Sequence, residues 1–418
     1  MAQSTSWRHV FVLFLAGVAV ALQIGKVPGA IPLLKDEFAL TLVAAGWVVS
    51  IFSLIAAVSA VLFGALAARV GPARFALCGM AVAAVASAAG AFADGPAQLL
   101  ATRIFEGLGF IVTVVSIPLL LTAVTARRDR DLAMGLWGAY MPLGAGAMLL
   151  VSAPLIGIIG WRGLWLVTAA VIAAAAMFVH VAAKRASARM VAAERPHIRE
   201  IVQVAARRRP LLLAIIFGLY AGQHLVLIGF LPLILVEQHG LSGPAAAAWV
   251  AATILSNALG NAAAGIALRQ GVPARPLMVL ACAVMGLSAC IVYLDVATVY
   301  SLAAAFAFSV VGGLIPGSLF ALAPAQVSRV EHLPSVTGLM LQGSSIGQLL
   351  MPPAVAALVA SIGDWAVAGP AALAAMAVAS LLTILLTRQR PRPTARAGLE
   401  TAPAPGSARR NGRLPRRA

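Results

Sequence analysis

The sequence predicts an all-α membrane protein with twelve transmembrane helices and both termini in the cytoplasm. Twelve apolar stretches, each long enough to cross a bilayer, run through the 418-residue chain. Lipid-exposed backbone must satisfy its own hydrogen bonds, so such stretches form helices. Of all residues, 61% are hydrophobic and 10% are charged, whereas a soluble domain carries about 25% charged residues. The composition therefore excludes a soluble globular protein.

The twelve predicted spans are separated by short polar gaps. They lie at about 10–34, 42–67, 73–93, 98–124, 132–159, 162–182, 210–236, 244–268, 275–294, 298–325, 335–360 and 365–387. Spans 5 and 6 meet in a short join around Gly160, where Trp161 suits an interfacial anchor.

Basic residues are distributed unequally between the two sides of the predicted membrane. By count, 26 of the 30 Lys and Arg fall in the N-terminus, the even-numbered loops and the tail. This is the positive-inside pattern, and it places both termini in the cytoplasm. The net charge of +17 is therefore expected to face anionic membrane lipids, and no nucleic-acid partner is predicted.

The spans divide into two sets of six. We predict an N-terminal six-helix bundle over 1–183, a basic cytoplasmic linker over 184–209 and a C-terminal six-helix bundle over 210–387. A disordered basic cytoplasmic tail is predicted over 388–418, because its Pro-, Ala- and Arg-rich composition buries too little apolar area to fold. Within the linker, residues 187–207 are compatible with an amphipathic helix on the inner membrane surface.

Weak internal repeats relate the two sets of spans. Four residues around the loop after span 2 recur 201 positions later, after span 8, and two glycines of span 5 recur in span 11. These matches are Gly64, Pro72, Ala73 and Arg74 with Gly265, Pro273, Ala274 and Arg275, and Gly135 and Gly144 with Gly338 and Gly347. Internal repeats with a site between them are typical of transporters.

At these residues the chain resembles the major facilitator superfamily of transporters. The loop after span 2 is similar to that family's Gly-x-x-x-Asp-Arg-x-Gly-Arg-Arg motif. Gly64, Arg69 and Gly71 match it, Ala68 replaces the Asp, and the basic end is reduced to Arg74.

Two further segments carry the resemblance. Arg103-Ile-Phe-Glu106-Gly-Leu-Gly in span 4 resembles the family's membrane-embedded Arg motif. Gly138, Pro142 and Gly144 in span 5 partly match its antiporter motif, without the usual Gly-Pro dipeptide. Together with Gly160-Trp-Arg-Gly-Leu-Trp, these segments look most like the cyanate/nitroimidazole-type branch.

The resemblance implies a major facilitator fold, in which two six-helix bundles surround a central cavity. Spans 1, 4, 7 and 10 would line the cavity, and the bundles would rock to expose it to each side alternately.

Three charged residues inside the predicted spans are the principal site candidates. Lys26 in span 1 and Glu106 in span 4 lie at similar depth, and Arg103 lies one helical turn before Glu106. A charge at the bilayer centre costs at least ~2.5–3.5 kcal/mol on insertion scales, so such residues are paired or functional. Lys26 is either a structural ion pair or a cavity cation for an anionic substrate or a coupling step. Glu106 either neutralises Arg103 or accepts a coupling proton.

Uncharged polar residues at membrane depth are the remaining substrate or coupling candidates. These are Tyr140, Gln223, His224, Asn257 and Gln342. Such groups either hydrogen-bond between helices or contact a solute in the cavity.

The predicted function is secondary active transport of a small, anionic solute, coupled to protons or to exchange. One alternative is a multidrug or cation efflux antiporter, and another is a non-transporting membrane sensor or scaffold. We predict no enzyme activity, no cofactor and no metal, because the sequence has no nucleotide-binding or metal-ligand motif. The protein is predicted to be a monomer that crosses the bacterial inner membrane many times.

Overall fold

The chain forms a bundle of long helices. A computed structural model describes residues 4–40, 42–189, 203–204, 206–294, 296–327 and 329–388. Twelve helical stretches of this part are long and apolar enough to cross a membrane, which confirms the predicted all-α class. The α-helices are Trp7–Phe38, Leu42–Val70, Pro72–Gly90, Pro96–Val124, Arg130–Gly138, Tyr140–Arg189, Arg208–Glu237, Gly243–Arg269, Ala274–Tyr293, Thr298–Gly312, Leu314–Leu322, Leu333–Ile362 and Ala368–Arg388.

Spans 5 and 10 are each built from two consecutive helices. Span 5 comprises Arg130–Gly138 and the first part of Tyr140–Arg189, and span 10 comprises Thr298–Gly312 and Leu314–Leu322. Spans 5 and 6 share the helix Tyr140–Arg189, which kinks at Gly160 with φ 69°. Glycine adopts this φ because it lacks a Cβ. The kink lies at the predicted join between the two spans.

Most of the linker 184–209 and all of the tail beyond Arg388 lie outside the described residues. The amphipathic helix over 187–207 and the disorder of the tail therefore stay predictions. The division into bundles over 1–183 and 210–387 also stays a prediction, although the packing described next is consistent with it.

The glycines of the internal repeat occupy equivalent positions in the two halves. Span 1 packs along span 5, and span 7 packs along span 11. A Cβ at Gly144 would meet the Val18 carbonyl of span 1, and a Cβ at Gly347 would meet the Gly218 carbonyl of span 7. Glycine at both places lets the helix backbones approach closely. The sequence repeat thus corresponds to a structural repeat.

The two halves contact each other through spans 2 and 11 and through spans 5 and 8. Gly64 lies against the Pro334 carbonyl, Gly338 against Ala60, and Gly135 against Gly265. These contacts lie next to the loops that the positive-inside rule assigns to the cytoplasm. Within the described residues, no comparable packing joins spans 1 and 7. We call this the inner-closed arrangement.

Substitution of Gly135 by Val should weaken the inner-closed arrangement. A Cβ at Gly135 would overlap the backbone of Gly265, so spans 5 and 8 must separate. The measurement is the yield of a disulfide between Val61→Cys and Gln342→Cys, in a background without the three native cysteines. Adding Gly135→Val to this background should lower the yield several-fold.

Gly157→Val is the matched control, because a Cβ at Gly157 in the same span meets open space. Equal cross-linking yields in the two variants would contradict this account of the contact.

Candidate functional site

Lys26, Arg103 and Glu106 form one buried charge cluster. Lys26 Nζ lies 2.7 Å from Glu106 Oε1, and the Arg103 guanidinium pairs with Glu106 Oε2. The side chains of Lys26 and Glu106 are 0% exposed, and that of Arg103 is 1% exposed. The structure therefore brings the three predicted residues together, with one cation on each carboxylate oxygen.

Span 4 and its neighbours hold the Arg103 side chain. Arg103 and Glu106 lie one turn apart on span 4, which places both on one face. Arg103 Nε donates to the Val48 carbonyl and Nη1 donates to the Gln23 carbonyl, each at 3.2 Å. The guanidinium carbon lies 4.9 Å from the ring centroid of Phe52. These contacts compensate part of the cost of burying the cation.

Spans 3 and 6 hold the Lys26 ammonium. Lys26 Nζ donates to Ser87 Oγ at 2.8 Å, and Ser87 Oγ donates to the Trp165 carbonyl at 2.9 Å. The ammonium lies 4.4 Å from the ring centroid of Trp165. Lys26 is thus surrounded by a carboxylate, a hydroxyl and an aromatic face.

The charge cluster lies inside the first half of the protein. Its contacts come from spans 1, 2, 3, 4 and 6. This is the ion pair that the sequence left open as one alternative. A contact between Lys26 and a solute stays a prediction.

Gln23, Ser87 and Trp165 are neighbours of the cluster that sequence reasoning missed. Gln23 is fully buried one turn before Lys26, and among the described residues neither polar atom of its side chain has a hydrogen-bond partner. A polar amide one turn from a buried lysine was a usable signal. Ser87 and Trp165 carry no such signal, because Ser and Trp are ordinary residues of transmembrane helices.

A second, uncharged polar cluster lies in the other half, between spans 7, 8 and 10. Asn257 Nδ2 donates to the Ser309 carbonyl at 2.7 Å and to Tyr220 Oη at 2.9 Å. Asn261 Nδ2 donates to Asn257 Oδ1 at 3.0 Å. His224 Nε2 lies 3.5 Å from Ser309 Oγ. Hydrogen bonds satisfy most of these buried groups, so the cluster orders the three helices.

The three remaining predicted polar residues, Gln223, Tyr140 and Gln342, have different surroundings. Gln223 is buried next to His224 in span 7. The Tyr140 ring stacks on Trp137 with centroids 4.3 Å apart. Gln342 Oε1 accepts a hydrogen bond from the Val61 backbone N–H at 3.3 Å, so Gln342 belongs to the contact between spans 2 and 11.

The predicted conformational residues divide into buried and exposed groups. Gly64, Gly138 and Gly144 lie at close helix contacts, and a Cβ at Gly138 would meet Asn261 and Gly317 of the second half. Of the other four, Pro142 is buried, Gly71 turns the chain with φ 103°, and Arg69 and Arg74 are exposed.

An ion pair between the halves supports the inner-closed arrangement. Arg269 Nη2, at the end of span 8, lies 2.8 Å from Asp129 Oδ1, just before span 5. Thr5 Oγ1 donates to Asp129 Oδ2 at 2.5 Å. Residue 269 is the repeat equivalent of Ala68, which replaces the motif Asp. Sequence reasoning missed this pair, because the repeat offset of 201 relates Arg269 to Ala68 and does not relate either residue to Asp129.

A polar cluster covers the outer end of the first half. Glu37 accepts a hydrogen bond from Trp161 Nε1 at 2.6 Å and pairs with Arg162 at 2.6 Å. Burial raises the pKa of the Glu37 carboxyl, but the hydrogen bonds and the Arg162 charge outweigh it and hold this pKa below its ordinary value. Trp161 also packs edge-on against Trp165, the residue that covers Lys26.

Loss of the Glu106 charge should destabilise the protein more than loss of the Lys26 charge. Glu106→Gln leaves two buried cations without a counter-charge and should cost about 3–5 kcal/mol. Lys26→Met leaves a balanced Arg103–Glu106 pair and should cost less. Thermal unfolding in detergent measures both, and equal losses would show that charge balance does not govern the cluster.

Arg269→Gln should shift the protein away from the inner-closed arrangement. The Arg269 side chain is 45% exposed, so the effect should reach at most about 1 kcal/mol, roughly a fivefold change in population. The cross-linking yield of the Val61→Cys, Gln342→Cys pair reports this shift. Arg275→Gln is the control, because Arg275 is exposed on the same side. A yield unchanged by Arg269→Gln would exclude a role for the ion pair.

Comparison with known proteins agrees with this architecture. The profile of the family described as Major Facilitator Superfamily matches residues 11–324 and, in a second match, 226–415. The human organic anion transporter MFSD10 (TETRAN) superposes with a TM-score of 0.72 at 15% identity, covering 92% of this chain and all of that one. The transporter FucP in the outward conformation gives 0.71 at 12% identity, covering 91% and 99%.

Curated relatives match over part of their length. The multidrug efflux pump LfrA of Mycolicibacterium smegmatis is 28% identical over 163 residues, which cover 39% of this chain and 32% of that protein. The arabinose-proton symporter of Escherichia coli K12 is 30% identical over 130 residues, covering 31% and 28%. These matches thus span about a third of each relative. Since the family profile covers most of the chain, this protein belongs to the Major Facilitator Superfamily, whose multi-pass integral membrane proteins are transporters and not enzymes.

Proposed function

We propose that this transporter carries a small anionic solute together with protons. The observation that carries the proposal is the charge balance of the buried cluster, in which two cations face one carboxylate. With all three groups ionised, the interior of the first half holds a net charge of +1. The hydrogen-bond cluster around Asn257 in the second half is uncharged and does not offset this charge.

An excess charge inside a membrane protein acts over a distance. At an effective dielectric constant of about 20, an anion roughly 10 Å from one uncompensated positive charge gains about 1.7 kcal/mol. This corresponds to more than tenfold in affinity, since about 1.4 kcal/mol is a factor of ten. Lys26 therefore favours an anion without touching it.

The relatives support coupled transport of small molecules. One structural neighbour is described as an organic anion transporter, and two curated relatives are described as sugar–proton symporters. The resemblance to the cyanate/nitroimidazole-type branch stays a prediction. The monomeric state and the contacts with anionic lipid are part of the same proposal.

Export of organic cations is the alternative that two relatives raise, the multidrug efflux pump LfrA and the methyl viologen resistance protein SmvA of Salmonella typhimurium. A cation exporter needs a carboxylate that is free to meet its substrate. Both oxygens of Glu106 are occupied by cations in the described cluster, which favours the anion. A non-transporting sensor or scaffold, the remaining alternative, is disfavoured by the family of the chain.

Uptake into proteoliposomes tests the proposal. The assay screens a panel of small carboxylates and inorganic oxyanions. A proton gradient directed into the vesicles, with the outside more acidic, should drive accumulation of the transported anion. Lys26→Met, which removes the excess charge, should raise the KM for the transported anion roughly tenfold, as the Coulomb estimate predicts.

Lys35→Met is the matched control, because Lys35 lies near the outer end of the same helix, away from the cluster. Extrusion of methyl viologen, with no anion in the panel transported, would overturn the proposal in favour of the cation exporter.

A further inference from the structure

We infer that Lys26 is the residue that binds and releases the coupling proton, and that its protonation is what makes the anion bind. This inference rests on the proposed function and assigns the coupling role within it to one residue. It replaces the alternative that the sequence left open, in which Glu106 accepts the coupling proton.

The charges of the cluster single out Lys26. Arginine is not deprotonated in proteins, so Arg103 keeps its charge throughout. Glu106 has a cation on each oxygen, and protonating it would leave two buried cations without a counter-charge. Loss of a proton from Lys26 instead leaves the neutral Arg103–Glu106 pair. Among the three groups, only Lys26 can change its charge and leave the buried cluster balanced.

The surroundings of Lys26 suit both of its protonation states. Its two hydrogen bonds, to Glu106 and Ser87, use two of the three N–H groups of an ammonium. A neutral amine still has two N–H groups and can keep both bonds. Deprotonation removes the cation–π contact with Trp165 and turns the ion pair with Glu106 into a hydrogen bond from a neutral donor. The cluster can therefore change charge without losing a hydrogen bond.

The helices packed around Lys26 bring few other ionisable groups to it. Span 4 contributes Glu106 and Arg103, span 3 contributes the Ser87 hydroxyl, and span 6 contributes the Trp165 ring. Span 2 reaches the cluster through its contacts with Arg103, at the Val48 carbonyl and the Phe52 ring. In the part of the chain that the structure describes, no other ion pair involves Lys26.

This assignment fixes the stoichiometry of transport. The amine of Lys26 takes up one proton from the side to which the protein is open and becomes an ammonium, which adds one positive charge to the first half. The affinity for an anion rises, and by linkage a bound anion raises the affinity for the proton by the same factor. A monovalent anion and one proton cross together, with no net charge moved.

The experiment compares the wild type with Lys26→Arg in proteoliposomes containing a pH-sensitive dye. The wild type should take up one proton per monovalent anion, at a rate unchanged by a potassium–valinomycin potential. Lys26→Arg keeps the charge but cannot release a proton. It should exchange labelled for unlabelled anion while losing proton uptake at least tenfold. Lys35→Arg makes the same change in the same helix, outside the cluster, and should behave as the wild type.

A spectroscopic measurement covers the case in which Lys26→Arg fails to fold. The ammonium lies against the Trp165 ring, so its protonation should change the emission of that indole. Subtracting the emission of Trp165→Phe from that of the wild type isolates the Trp165 signal. Between pH 5 and pH 10 this signal should show a single one-proton transition, and the same transition should be present in the Lys35→Arg background.

The outcomes separate this inference from the proposed function. If the wild type transports no anion, the proposed function fails. If the wild type couples anion to proton and Lys26→Arg still does so, or if the fluorescence difference shows no transition, the assignment to Lys26 is overturned while anion transport stands.

Discussion

The first half of this protein is organised around one carboxylate that holds two cations in an apolar interior. Glu106 cannot be buried alone, because an unpaired charge at this depth costs several kcal/mol. Each of its oxygens takes one cation, and each cation takes further support from a different pair of helices. Arg103 reaches spans 1 and 2, whereas Lys26 reaches spans 3 and 6. One acidic side chain therefore determines how five of the six helices in this half face each other.

The contacts between the halves follow a different rule, that of close backbone approach. Spans 2 and 11 meet at Gly64 and Gly338, and spans 5 and 8 meet at Gly135 and Gly265. In the repeat, Gly64 corresponds to Gly265 and Gly135 to Gly338, so the two contacts are pseudo-symmetric copies of each other. Surfaces of this kind can separate without breaking many polar bonds, as a rocking motion requires. Asp129 and Arg269 add an ion pair to one of the two contacts, and the repeat equivalent of Arg269 in the other contact is the uncharged Ala68.

Residue type and position along the chain were sufficient to predict the spans and the repeat, and to place Lys26 and Glu106 at similar depth with an ion pair as one open alternative. Hydropathy locates spans because every helix that crosses the bilayer needs a sufficiently long apolar stretch. Two buried charges of opposite sign at similar depth lower their burial cost by pairing. The roles of Ser87 and Trp165 depend on helix rotation, which hydropathy does not encode. Gln342 shows the same limit, since its depth suited a cavity and its rotation turned it to the contact with span 2.

Spans 1 and 4 connect the charge cluster to the inner contact between the halves. They are joined at the cluster by Lys26 and Glu106, and again at their inner ends, where the Ser6 backbone N–H donates to the Val124 carbonyl at 3.0 Å. The neighbouring Thr5 hydroxyl holds Asp129, the partner of Arg269. A shift of span 1 against span 4 that accompanied a change of charge at Lys26 would act both at the cluster and at the Ser6–Val124 contact, with Pro118 interrupting the backbone hydrogen bonds of span 4 between the two points. Spans 1 and 4 are thus shared by the charge cluster and by the inner contact between the halves, which is the structural connection that coupling between the two would require.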